Sequence, residues 1–341
     1  MTDEKVIPLT PEEITDLFYH ASTEELIRMA NGVCLQMHGR AVLLRGLIEF
    51  TNVCNNDCLY CGIRHGNRTA NRYRMEEKAI LAVVQEGYNR GIRSFVLQGG
   101  EDPDYTTERI CRLVRRIKDQ GGDAAVTLSC GIRSSEEYCA MVAAGADRYL
   151  LRFETADAKL HFSLRKITLE DRLTALGGIR AAGFQVGSGY MLGLPGERAE
   201  IQLANILLCQ RLQLDMVGIG PFIPHPDTPL RQARQHPLEN VIRGVALLRL
   251  ALPPAHIPAT TAAGTLIAGG REQMLNAGAN VLMPNLTPME YKRDYLLYPN
   301  KVCLVEKGIH DLARLDRQIR SLDRELSFAR GDALRLERTL R

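Results

Sequence analysis

Eight short apolar runs, each separated from the next by a longer stretch, constrain this chain's fold more than any other feature of its sequence. They are Gly46 to Phe50, Ser94 to Gln98, Ala124 to Ser129, Arg148 to Phe153, Phe184 to Leu192, Met216 to Gly220, Ile257 to Thr261 and Asn280 to Met283. Intervening stretches such as Glu76 to Gly91 and Leu169 to Gly183 have the length of crossover helices. The glycines in NRGIR, AAGAD, AAGFQ and NAGAN read as helix stops leading into the next strand. A repeated strand-helix unit makes a parallel sheet, and eight units are enough to close on themselves. The expected fold is therefore α/β, a complete (β/α)8 TIM-type barrel over residues 42–311, with no Pro/Ser-rich linker to split it. Residues 1–41 form a helical lead-in, with Thr10 as N-cap before Pro11-Glu12-Glu13 and a second start around Thr23-Glu24-Glu25. Over residues 312–341, Leu312, Leu315, Ile319, Leu322 and Leu326 follow a three-four spacing, which predicts an amphipathic C-terminal helix packed on the barrel.

Composition narrows the function class. A chain that is 45% hydrophobic and 24% charged can bury a large core. Its net charge of +3 carries no interleaved basic and aromatic patch, so a nucleic-acid partner is not expected. MTDEKVIPLTPEE is acidic and polar where a targeting peptide would be basic with an apolar core, and no run approaches the roughly 20 apolar residues of a membrane span. A cytoplasmic protein without a membrane partner is expected. The nine cysteines are odd in number and mostly single within apolar stretches, which is not the pattern of a disulfide framework.

Three of them depart from that pattern. IEFTNVCNNDCLYCGIR places Cys54, Cys58 and Cys61 just beyond a strand, on the loop type where barrel active sites lie. Three thiolates can hold three irons of a cubane and leave the fourth open, whereas structural zinc wants four closed ligands and would need His65 here. NNDCLYCG is too polar for a core segment. After the second strand, Gln98-Gly99-Gly100-Glu101-Asp102 combines small residues, which let backbone approach a ligand, with a carboxylate that can accept from an amine. Arg152 and Glu154 end the fourth strand on one face, and an inward charge pair needs a polar ligand or each other.

The spacing CxxxCxxC, with Tyr60 before the last cysteine, resembles the signature of the radical S-adenosylmethionine (SAM) superfamily. The resemblance implies one 4Fe-4S cluster on Cys54, Cys58 and Cys61, SAM as second cofactor, and a 5′-deoxyadenosyl radical as the product of its reductive cleavage. It implies SAM contacts from Tyr60, Gly100, Glu101, Glu154, Arg172 and Ser188, and an electron donor such as ferredoxin or flavodoxin.

Within the superfamily, RYRM, LQGGEDP, MVGIGPFIPHPDTPL, IPATTAAGT, GANVLMPNLTP and YLLYPNKVC closely resemble the HydE family of FeFe-hydrogenase maturases, from about residue 42 to 307. That family has complete barrels and helps to build the two-iron part of the hydrogenase site from a small organometallic iron-cysteine precursor. Other hydrogenase maturases are the partners it implies. The resemblance places Gln98, Thr127, Arg152, Thr260, Thr261, Met283, Tyr295 and Tyr298 around a substrate pocket, with Arg152, Thr127 and Tyr298 as the catalytic set. Chemically, Arg152 suits a carboxylate, the threonines can donate to it, and the two tyrosines can cover a barrel mouth. His225, between Pro224 and Pro226, is a candidate for the rim.

Three departures stand out. Cys303 matches the first ligand of the auxiliary cluster that some family members carry, but Asp311 and Arg314 replace the others, so no auxiliary cluster is expected. Phe153 stands where His is expected and Gly99 where Ser is expected. The first change suggests an altered substrate, as in a HydE paralogue. A methylornithine-synthase-like mutase shares the RYR and GEDP segments; biotin-synthase-like sulfur insertion and a non-catalytic iron-sulfur scaffold are further alternatives.

Overall fold

A computed structural model describes residues 6–304 and 308–334. Nine strands carry the fold: β1 (Ala41–Leu44), β2 (Gly46–Thr51), β3 (Ser94–Gly99), β4 (Ala125–Ser129), β5 (Arg148–Leu150), β6 (Gln185–Leu192), β7 (Met216–Pro221), β8 (Val281–Leu282) and β9 (Glu325–Ser327). Strands β2 to β7 form one parallel sheet in chain order, and β8-β1-β9 form a second, also parallel. The expected helices follow the strands, among them Glu77–Asn89, Thr107–Gln120, Leu169–Ala181 and Ala199–Arg211. Gly91, Gly145, Gly183 and Gly278 all have φ between 94° and 106°, the left-handed conformation that ends a helix without Cβ strain. These are the four helix-stop glycines expected from the sequence.

The lead-in is helical over Pro11–His20 and Thr23–His38. Thr10 caps the first with a reciprocal bond to Glu13, whereas the second is capped by Ser22 rather than by a residue of Thr23-Glu24-Glu25. The seventh run, Ile257 to Thr261, is a correction: it contains no strand. Within it Pro258 makes a single bridge with Val281, just after one between His256 and Met216, and Thr260 already caps the helix Thr261–Leu266. Pro258 has no N–H to donate to a ladder.

The C-terminal segment is the second correction. The amphipathic helix stops at Arg320, having buried Leu315 and Ile319, and the chain turns back as β9 against β1, with Leu326 opposite Val42. Residues 335–341 of the expected helix lie outside the described residues. The turn is held by Arg40, which pairs with Asp323 and Glu325, flanking residues on the strand pair it joins. Beyond β9 the segment passes under the sheet, where the fully buried Arg148 donates to the carbonyls of Arg330 and Gly331 and to Asp332 Oδ1 at 2.8–2.9 Å. Burial alone would push the Asp332 carboxyl up. Hydrogen bonds from Arg330 and Gln185, with the Arg148 charge, hold it well below the carboxylate range.

Buried histidines make the fold acid-sensitive. Burial, with a neighbouring arginine in each case, lowers His38 to about 3, His161 to about 4 and His256 to about 2. These groups bind protons in the unfolded chain near pH 6.5 but not in the folded one, so stability falls as pH drops below about 6.5, by up to about 1.4 kcal/mol per pH unit for each. Glu197, which burial lifts to about 7, opposes this between its ordinary value and pH 7, one group against three. Urea midpoints measured from pH 7 to pH 4.5 should therefore decline steadily; a flat profile would show that the histidines are not held neutral.

Candidate functional site: the cysteine loop and the cavity beside it

Beyond β2 the chain leaves the sheet as an irregular loop, so its backbone groups need partners from side chains. Arg72 supplies four, donating to the carbonyls of Asn52, Ile63, Arg64 and Asn67 at 2.6–3.1 Å. Asn52 adds bonds to Asn71 O and Asp294 O and accepts from Tyr73 N, each at 2.7 Å. The loop thus presents Cys54, Cys58 and Cys61 from a fixed frame. Gly100 lets it close: a Cβ there would lie 2.1 Å from Val53 O and 2.7 Å from Cys54 Cβ. The Glu101 amide meets Cys54 Sγ at 3.4 Å.

Burial pushes the Cys54 and Cys61 thiols up, and the nearness of Cys58 adds to the effect on Cys61. Such thiols ionise only against a strong positive charge, which bound iron supplies. Among the described residues no three Cys, His, Asp or Glu side chains gather as a single-ion site. Three thiols on one loop suit a cubane by number and chemistry, because each thiolate takes a different iron.

The cysteines share a cavity of about 320 Å3 with most of the residues singled out in the sequence. Tyr60, Gln98, Gly100, Glu101, Arg152, Glu154, Arg172, Thr260, Thr261, Met283, Tyr295 and Tyr298 all line it. Its charged groups are under-partnered. Arg172 is 2% exposed, lies 3.8 Å from Glu101 Oε1, and finds no hydrogen-bond partner for Nε or Nη2 among the described residues. Glu154 Oε2 sits 3.2 Å from Arg152 Nη2 without hydrogen-bond geometry, and Arg152 Nε is also unpartnered. Buried polar groups in this state cost about 1–3 kcal/mol each unless a ligand satisfies them. A zwitterionic ligand with amine and carboxylate, as SAM carries, has the groups to do so.

Two expected contacts fall elsewhere. Thr127 is outside the cavity lining, one inward position below Ser129 on β4, with its hydroxyl unpartnered among the described residues. Ser188 is turned away: Met191 of β6 lines the cavity, so by alternation Ser188 faces outward, where its hydroxyl donates to Leu151 O at 2.8 Å. The segment beyond β5, which ends at Leu150 and not at Phe153 as expected, also removes the significance attached to Phe153. Arg152 and Glu154 point to the cavity, while Phe153 is fully buried behind them, its ring stacked on Tyr190 at 5.9 Å. His225 is buried, at 4% exposure, and its ring lies against the cysteine loop at Gly62 rather than in the cavity lining.

Sequence reasoning missed two groups. Arg165 donates to Tyr60 Oη at 2.6 Å and lies 3.8 Å from Glu154 Oε1, so it joins the cysteine loop to the segment after β5. The only local signal was its place one turn after His161. On the cavity wall, Lys301 Nζ donates to Glu49 Oε1 at 2.7 Å and to Tyr295 O at 2.9 Å, both charged side chains under 5% exposed. Asn285 holds the other Glu49 oxygen at 2.8 Å. Lys301→Met would leave a buried carboxylate without its cation, so we expect a loss of about 3–5 kcal/mol in urea unfolding, with Lys301→Met/Glu49→Gln losing less. Equal losses in the two variants would mean that the pair is not electrostatically coupled.

Comparison with known proteins agrees with this geometry. The Radical SAM superfamily model matches residues 48–207. The FeFe-hydrogenase maturase subunit HydE of Thermotoga maritima is 44% identical, over 89% of this chain and 86% of that one. Among solved structures, a methylornithine synthase aligns with TM-score 0.80 at 26% identity, covering 94% of this chain and 95% of its own. The maturase HydG from Carboxydothermus hydrogenoformans reaches TM-score 0.80 over 95% of this chain and 77% of its own, and at 18% identity supports the fold alone. With the cysteine loop intact and this degree of identity over most of both lengths, the chain belongs to the HydE family and is a radical SAM enzyme, with the 4Fe-4S cluster and SAM as the cofactors its family implies.

Proposed function

We propose that this chain is a hydrogenase maturase that uses its radical on a small organometallic iron-cysteine precursor during assembly of the FeFe-hydrogenase two-iron subcluster. The observation that carries it is a single cavity lined at once by the three cysteines and by Gln98, Arg152, Thr260, Thr261, Tyr295 and Tyr298. When bound, the reduced cluster and SAM supply a 5′-deoxyadenosyl radical. The protein's own part is to place the substrate. Arg152 carries a fixed charge suited to a carboxylate, and the two threonine hydroxyls can donate beside it. Tyr295 is 1% exposed, and burial pushes its phenol and that of Tyr298 well up, so both stay neutral donors at the cavity wall.

Cys54, Cys58 and Cys61 hold the cluster in this reading, with Tyr60, Gly100, Glu101, Glu154 and Arg172 around SAM. We also read the sheet as a complete barrel over 42–311, flanked by the lead-in 1–41 and the segment from 312. Three links support closure: Leu47 accepts from Leu286 N at 2.8 Å and donates to Pro284 O at 2.9 Å, and Val217 N donates to His256 O at 2.9 Å. An electron donor of the ferredoxin or flavodoxin kind and the other maturases are the proposed partners, in the cytoplasm. No helix among the described residues is long and apolar enough to cross a membrane.

Complementation decides the reading. A host lacking its own HydE and supplied with this chain should regain hydrogenase activity. Failure with a correctly assembled cluster would move the assignment to a paralogue or to the mutase class, for which lysine rearrangement is the direct assay.

A further inference from the structure

The helix Ala158–Arg165 carries a fully buried histidine that none of the assignments above uses. His161 sits behind Glu154, and Glu154 is held in an unusual way. Its φ is +67°, in the left-handed region that L side chains rarely adopt, and Thr155 N reaches back to Phe153 O at 2.8 Å across it. This is a γ-turn of the strained kind, which persists only where its surroundings over-determine it. The flanking strand supplies part of the restraint, Glu154 N donating to Gly189 O at 3.0 Å and Met191 N to Glu154 O at 3.1 Å. The rest comes from the helix. His161 Nδ1 lies 2.8 Å from Phe153 O, the same carbonyl that closes the turn. Since that partner is an acceptor, Nδ1 carries the proton.

Helix placement follows from its cap. Asp157 accepts from Leu160 N with its side chain and from His161 N with its carbonyl, each at 2.8 Å, which starts the helix three residues after Glu154. One turn on, Arg165 reaches the Glu154 carboxylate and Tyr60 from the same face. Burial, then the Arg165 charge, lowers His161 to about 4, so its ring is neutral at pH 7 and has one N–H to give.

We propose that His161 is a positioning residue, whose Nδ1–H bond to Phe153 O holds the 153–155 turn and so aims Glu154 at the SAM site. The proposal rests on Glu154 being a SAM contact.

Full-length protein reconstituted with its cluster tests it by SAM titration. Losing one hydrogen bond that orients a ligand-holding group is worth roughly 2- to 12-fold in binding, and His161→Ala should fall in that range, with KM for SAM in the cleavage assay rising more than kcat falls. His161→Asn, which puts an amide donor near the Nδ1 position, should recover most of the affinity; His161→Gln, whose donor reaches the Nε2 position, should not. In the protein without cofactors, amide exchange at Thr155 should accelerate in the alanine and glutamine variants and not in the asparagine one. Glu154→Gln separates the two ideas. Unchanged SAM affinity in that variant refutes the Glu154 contact and the proposal with it. Weakened affinity there, with His161→Ala binding as the wild type does, overturns the positioning role alone. If His161→Ala does not fold, equal affinities for the asparagine and glutamine variants overturn it.

Discussion

Cys58→Ala is expected to yield a folded protein that retains no 4Fe-4S cluster after reconstitution and forms no 5′-deoxyadenosine above background with dithionite and SAM. Cys58 is 7% exposed, and trimming its sulfur removes little buried volume, so a stability cost on the order of 1 kcal/mol is reasonable. The chemical cost is of another kind. Three thiolates are the whole protein ligand set for the cubane in this family reading, so losing one leaves an iron without its protein ligand. The frame that presents the loop, Arg72 on four carbonyls and Asn52 on three backbone groups, is untouched by the substitution. Iron content, circular dichroism and cleavage assayed on one preparation would separate the effects. A variant with full iron and normal cleavage would remove Cys58 from the ligand set.

Arg152→Leu is the second large effect. Its Nη2 donates to Tyr190 O at 2.5 Å and pairs with Glu154, while Nε is unpartnered and the side chain remains 30% exposed to the cavity. It is therefore anchored through Nη2, with its buried Nε unpartnered among the described residues and part of the side chain facing the cavity. Losing one partner of a desolvated charge pair costs about 2–5 kcal/mol, roughly 30- to 4,000-fold in turnover. The cluster should assemble, because Arg152 makes no contact with the cysteine loop among its assigned bonds. Hydrogenase activity in the complementation assay should fall by that factor. Normal maturation would show that the substrate anion is held elsewhere in the cavity.

The structure also changes how the sequence departures are weighed. Phe153 lies behind the cavity wall on Tyr190, so its replacement of a histidine does not alter the substrate surface directly. Gly99 lies in the cavity lining, but a Cβ there would come within 2.8 Å of Phe50 and Thr51, so the glycine fits its packing. Cys303 is 2% exposed and lines the cavity beside Asn285, whose amide lies 3.7 Å from its sulfur.

What the sequence determined by itself is what depends on neighbours in the chain. The cysteine spacing, the Thr10 capping box and the four glycine stops each act within a few residues, and each was legible without coordinates. So was the strand-helix alternation, because apolar runs and helical periodicity are local patterns. Only the tertiary structure decided the rest. Leu326 continued a helical spacing, yet β1 offered an open edge and the chain paired with it as β9. Ser188 and Phe153 were assigned to chemistry by position, yet strand alternation turned the first away from the cavity and packing on Tyr190 buried the second behind its wall. Lys301 meets Glu49 across 252 residues, and Arg165 meets Tyr60 across 105, contacts that no spacing rule connects. Sequence carries the chemistry of each group; which groups share a desolvated cavity is decided when distant segments pack, because only then do their charges find or lack partners.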